Sequence, residues 1–146
     1  MTLAISSHAT LWAVQLTPGG VFTTIAELGD IVPPGLSRNE FDSTTHNINI
    51  DAYVLGVLRR GALTVPLNFL PGDATHDHLT GITKLMVDNT VTGHRVTFPN
   101  VPATVWIMSG QIQAIEPQAP VDGKLSADVT VRMSGLMSIG GVSIGA

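Results

Sequence analysis

The chain has no cysteine, which excludes disulfide frameworks and cysteine-ligated metal sites. Charge is nearly as scarce. Seven basic and eleven acidic side chains make up 12% of the 146 residues, about half the roughly 25% of an ordinary soluble domain. Five scattered arginines and two lysines do not make the clustered cations of a phosphate-gripping surface. No apolar run approaches the ~20 residues of a membrane-spanning helix. Residues 1–10 place no basic residue ahead of their apolar positions, as a secretory leader would. These absences predict a chain made and folded in a cytoplasm, with no membrane partner. What remains is one domain's length, enough to bury about two-thirds of its surface without a metal or a disulfide. So little charge predicts that neighbouring copies cover much of that surface.

What the chain has in abundance is β-branched: 15 Val, 11 Ile and 16 Thr, against three Glu and two Lys. Residues 124–134 alternate strictly, with Leu125, Ala127, Val129, Val131 and Met133 on one face and polar side chains on the other. Residues 61–70 repeat the pattern through Leu63, Val65, Leu67 and Phe69, and Pro66 assigns that strand to a sheet edge or a bulge. A third strand is predicted over 104–115, with a bend at Gly110. Residues 10–16 and 21–28 flank Thr17-Pro18-Gly19-Gly20 as a hairpin, and 91–98 is a shorter strand. Ile48 and Ile50 alternate with Asn47, Asn49 and Asp51 in a more polar stretch. One segment has helical spacing: over 75–89, Leu79, Ile82, Leu85 and Met86 form a single stripe, with Asp73, Thr75 or Asp77 as the cap. The fold class is therefore mainly β, an antiparallel sandwich or barrel with one flanking α-helix.

Two segments stand apart. Residues 31–60 open with Pro33-Pro34-Gly35 and continue through a run of Asn, Ser, Thr and Asp, which reads as a long functional loop. Residues 136–146, uncharged and glycine-rich, read as a flexible C-terminal arm beyond a domain of residues 1–135.

Catalytic chemistry finds little support. A small metal-dependent barrel enzyme would have to use His46, His76, His78 and His94. His76-x-His78 lacks the Glu that a cupin-like site places about four residues on, where Ile82 and Thr83 stand. There is no Gly-x-Ser-x-Gly elbow and no phosphate-binding glycine loop. No cofactor is expected. Arg59-Arg60 is either a solvated strand end or a charged pair at a subunit contact.

Phe22-Thr23-Thr24-Ile25-Ala26-Glu27-Leu28-Gly29-Asp30-Ile31, followed by a proline break, resembles the opening of the tail tube (major tail) proteins of phages with long non-contractile tails. The family's "D-x-T-x-H" form has its counterpart in Asp42-Ser43-Thr44-Thr45-His46, with the His one place late. The family's Gly-Leu or Gly-Glu-Leu strand with "N-F" has its counterpart in residues 58–69, with Gly61-Ala62-Leu63 and Asn68-Phe69, and 106–110 with 129–135 look like the closing strands. The resemblance covers roughly residues 21–135. It implies a β-sandwich whose six copies form a ring, with rings stacked into a tube through which DNA leaves the capsid. It also implies a place in the virion tail after assembly in the host cytoplasm. The implied partners are the chain itself, the tape-measure protein and the terminator and tip proteins, with DNA passing unbound.

On that reading, 31–60 is the inter-ring contact, with Asp42, Thr44, His46, Asn47, Tyr53, Arg59 and Arg60 at the interface. Candidates for an acidic lumen that repels phosphate are Asp42, Asp51 and Asp128. The alternatives are a tail terminator, a baseplate ring or a secretion-tube subunit, or the histidine-dependent enzyme.

Overall fold

The computed structural model describes residues 4–47 and 49–144, so Ile48 of the alternating stretch and the last two residues lie outside it. In chain order the elements are β1 (Leu11–Gln15), β2 (Phe22–Thr24), β3 (Leu36–Asp42), β4 (Tyr53–Arg60), β5 (Ala62–Asn68), α1 (Ile82–Val87), β6 (Thr92–Phe98), β7 (Thr104–Gln118), β8 (Ser126–Ile139) and β9 (Val142–Ile144). Seven strands make one antiparallel sheet in the order β2-β1-β6-β7-β8-β5, with β9 added to β8. Strands β3 and β4 form a separate two-stranded sheet.

Alternation decides which side chains are inside. Leu63, Val65 and Leu67 of β5 join Val129, Val131 and Met133 of β8 in one buried cluster. Trp12 and Val14 of β1, Val96 of β6 and Met108 and Ile112 of β7 complete it. Strands from opposite ends of the sheet order thus meet, which requires the sheet to fold over on itself. Two features let it. Register shifts between β7 and β8 fall between Met108 and Ser109 and between Ile112 and Ala114, bending the longest strands on either side of Gly110, as predicted. The chain leaving β2 then crosses to the far edge, where Leu28 bridges Leu67 and Val32 bridges Thr64. Each fully buried Leu or Val contributes roughly 1.5–3 kcal/mol, so this cluster, not local propensity, holds the body together. Pro66 sits in the edge strand, and its carbonyl accepts from the Gly29 amide at 2.7 Å.

The helix is shorter than its periodicity predicts. Asp73 Oδ1 accepts from the Thr75 amide at 2.8 Å and Asp77 Oδ1 from the Thr80 amide at 2.8 Å, so residues 73–80 are spent on turns that compete with a helix. At Gly81 that turn closes tightly, and a Cβ there would lie 2.5 Å from the Asp77 amide nitrogen. Helical geometry starts only at Ile82. Ile82 and Leu85 are buried as the stripe predicts, whereas Leu79 is exposed.

Two expectations are corrected. Residues 31–60 are not an irregular loop: β3 and β4 pair along them as an antiparallel ribbon. Residues 136–144 are not a free arm. Strand β8 continues to Ile139, Gly140 and Gly141 turn with φ of 58° and 91°, and β9 returns along β8. Two glycines in the left-handed region are the signature of a tight hairpin, and a glycine-rich, charge-free composition imitates a flexible tail.

Candidate assembly surface

The ribbon is the far half of a longer one. Residues 27–32 pair with β5 through Asn68 N to Glu27 O at 2.9 Å, Gly29 N to Pro66 O at 2.7 Å and Val32 N to Thr64 O at 2.8 Å. After the two prolines the Gly61 amide donates to Gly35 O at 2.8 Å, and the pairing resumes as β3 and β4. The near half lies on the core. The far half leaves the body as an arm, in which no residue of β3 or β4 is buried.

Its register divides the arm into two faces. Leu36, Arg38, Glu40, Asp42, Tyr53, Leu55, Leu58 and Arg60 fall on one, and Ser37, Phe41, Val54 and Arg59 on the other, with Gly56 and Val57 at the bulge opposite Asn39. The register shift falls in β4, where Gly56 and Val57 together oppose Asn39, so that Leu55 and Leu58 share a face that an unbroken strand would split. Both faces are apolar and both are wet: Phe41 is 57% exposed, Leu55 62% and Val57 74%. At the tip the Ser43 amide donates to Ala52 O at 2.7 Å and the Ala52 amide to Thr44 Oγ1 at 2.9 Å. The Thr44 hydroxyl and amide hold the Asp42 carboxyl below its ordinary range. Arg60, at the root, donates to the Gly135 carbonyl.

The interface candidates Asp42, Thr44, His46, Asn47, Tyr53, Arg59 and Arg60 therefore all lie on this arm. Sequence reasoning missed Phe41, Val54, Leu55 and Val57. Their signal was the run Tyr53-Val54-Leu55-Gly56-Val57-Leu58, which fails to alternate because both faces carry apolar side chains. The lumen candidates separate: Asp42 and Asp51 are on the arm, and Asp128 is on the outer side of β8. There Asp128 stands directly across from Glu116 of β7, both exposed. Like charges in that position destabilise a sheet, so the pair calls for a functional reason.

The histidines do not converge. His76 is fully buried, with Nδ1 accepting from the Leu70 amide at 3.0 Å and Nε2 at 2.9 Å from Ala26 O, to which it donates. It pins the turns before α1 to the chain after β2. His94, also fully buried, accepts at Nδ1 from Trp12 Nε1 at 3.3 Å and stacks on that indole. Burial pushes its pKa down to about 4, against a weaker upward pull from the Gly110 carbonyl, and Nε2 has no hydrogen-bond partner. His46 and His78 are exposed. Among the described residues no three His, Asp or Glu side chains form a metal-ligand group.

A family model described as "Lambda phage tail tube protein, TTP" matches residues 5–140. No curated protein matches the chain in sequence. Among solved structures, the tail of an empty gene transfer agent particle, refined with C6 symmetry, superposes with a TM-score of 0.76 at 20% identity, covering 92% of this chain and 98% of that one. The SPP1 tail tube gives 0.73 at 12% identity over 94% and 80% of the two chains. A sheath-tube complex of an extracellular contractile injection system gives 0.67 at 11% over 92% and 91%. At these identities the structures establish a shared fold.

Proposed function

Because this chain belongs to the lambda phage tail tube protein family, and so has a structural, non-enzymatic role in a virion tail, we propose that six copies close into a ring and that rings stack into the tube. The arm joins one ring to the next, and DNA passes through the lumen without being held. The observation that carries this reading is the arm: a ribbon apolar on both faces, with no covering element among the described residues of its own chain. A lone two-stranded ribbon is marginal in water, so this one is completed by neighbours. The Glu116–Asp128 pair supports placing the outer side of β7 and β8 at the lumen, where facing carboxylates repel the phosphate backbone. Tape-measure, terminator and tip proteins are the partners such a tube meets inside and at its ends.

Replacing residues 36–60 by a short Gly/Ser linker tests this, since Gly35 and Gly61 are already hydrogen-bonded and the body can close without the arm. The parent protein should form tubes at high concentration in electron micrographs, and the shortened one should remain folded and form none. Tubes from the shortened protein would remove the arm from the contact. A parent that stops at single rings would favour a terminator or baseplate role.

A further inference from the structure

The arm leaves its body beside a cleft of about 420 Å³ whose apolar walls include Ile5, Ile31, Pro33, Phe98 and Trp106. Phe98 and Trp106 meet edge to face with ring centroids 5.2 Å apart, giving the cleft a rigid aromatic floor. Through Ser6, Ser7, Thr10 and Ile31 it opens into a more polar hollow whose Asp and Glu residues are Glu27 and Asp30. Neither lining contains a lysine or an arginine. The Phe41 face of the arm is its complement, being apolar at Phe41 and Val54 and carrying Arg59 with no carboxylate.

We propose that this cleft is the socket for the Phe41–Val54 face of another copy's arm, with Arg59 of the arm set against Glu27 and Asp30. The proposal rests on the reading of the arm as an assembly element. A second copy is required because the socket is at the arm's own root: Ile31 and Pro33 directly precede β3. Phe41 stands six residues beyond Gly35, about 20 Å along an extended strand, too far out to fold back. Arm into root is a head-to-tail contact, which propagates from copy to copy rather than closing on a pair.

The absence of cysteine makes the test direct. Val54→Cys combined with Ser7→Cys supplies one thiol on the arm face and one on the cleft rim. After polymerisation and mild oxidation, the double variant should give a ladder of covalent multimers on a non-reducing gel, and neither single variant should. Tubes without a ladder would overturn the socket and leave the tail tube reading standing; no tubes from the unsubstituted protein would overturn that reading itself. A charge reversal gives an independent arm of the test. Arg59→Glu should raise the concentration needed for polymerisation tenfold or more, and adding Asp30→Arg should recover most of it. Unchanged polymerisation by Arg59→Glu would also overturn the socket.

Discussion

Strands β4 and β5 are consecutive stretches of one extended path, separated only by Gly61, and similarly apolar. Their fates differ. In β5 every second side chain is buried, and in β4 none is. Strand β5 alternates, so one face meets the core and the other is half-buried, while its outer edge pairs with the chain at 28–32. Strand β4 carries apolar residues on both faces and finds no cover among the described residues of its own chain. The contrast teaches that apolar content alone does not say where a strand is stabilised. Alternation marks stability drawn from the same molecule, and its loss marks stability deferred to an assembly.

The sharpest way to break that contrast is a matched pair of truncations. Leu63→Ala in β5 should cost about 2–5 kcal/mol of monomer stability in denaturant unfolding, because it empties a fully buried site. Leu55→Ala in β4 should cost less than about 0.5 kcal/mol while impairing tube formation. Equal costs would mean that the arm is already packed in the monomer.

Acid separates the regions by a second route. His94 in the folded body has a pKa lowered to about 4, against 6.5 for the unperturbed group, so the unfolded chain binds the proton more tightly. The associated stability is whole above about pH 6.5 and declines as pH falls toward 4, by up to about 3 kcal/mol. Unfolding at pH 7 and pH 4.5 should show this loss, and His94→Gln should flatten the slope. In the arm the lowered pKa of Asp42 also favours the folded tip above the ordinary carboxylate range and is lost below it. The smallest expected effect is there: Thr44→Val should return the Asp42 titration, followed by NMR, toward its ordinary value with the body unchanged.

Most of the body was legible because one-faced burial writes itself as period two. Residues 124–134, 61–70 and 91–98 are strands for that reason, and Pro66 announced an edge. The short helix was misjudged in length, since Asp73 and Asp77 look like caps in sequence but act as turn formers three-dimensionally. Residues 31–60 were read as a loop for two reasons. The polar run 42–49 resembles disorder, and a ribbon apolar on both faces shows no alternation of its own. All seven interface candidates were nonetheless placed on the arm, because the family-like motif and the arm coincide. The apolar anchors beside them were passed over.

The closed edge of the body has one more consequence. With 28–32 covering β5, the element most exposed for joining copies is the arm, and an arm is unlike the surface it meets. A polymer built from such contacts has a direction. One end presents arms without sockets and the other sockets without arms, so growth, arrest and attachment at the two ends call for different proteins.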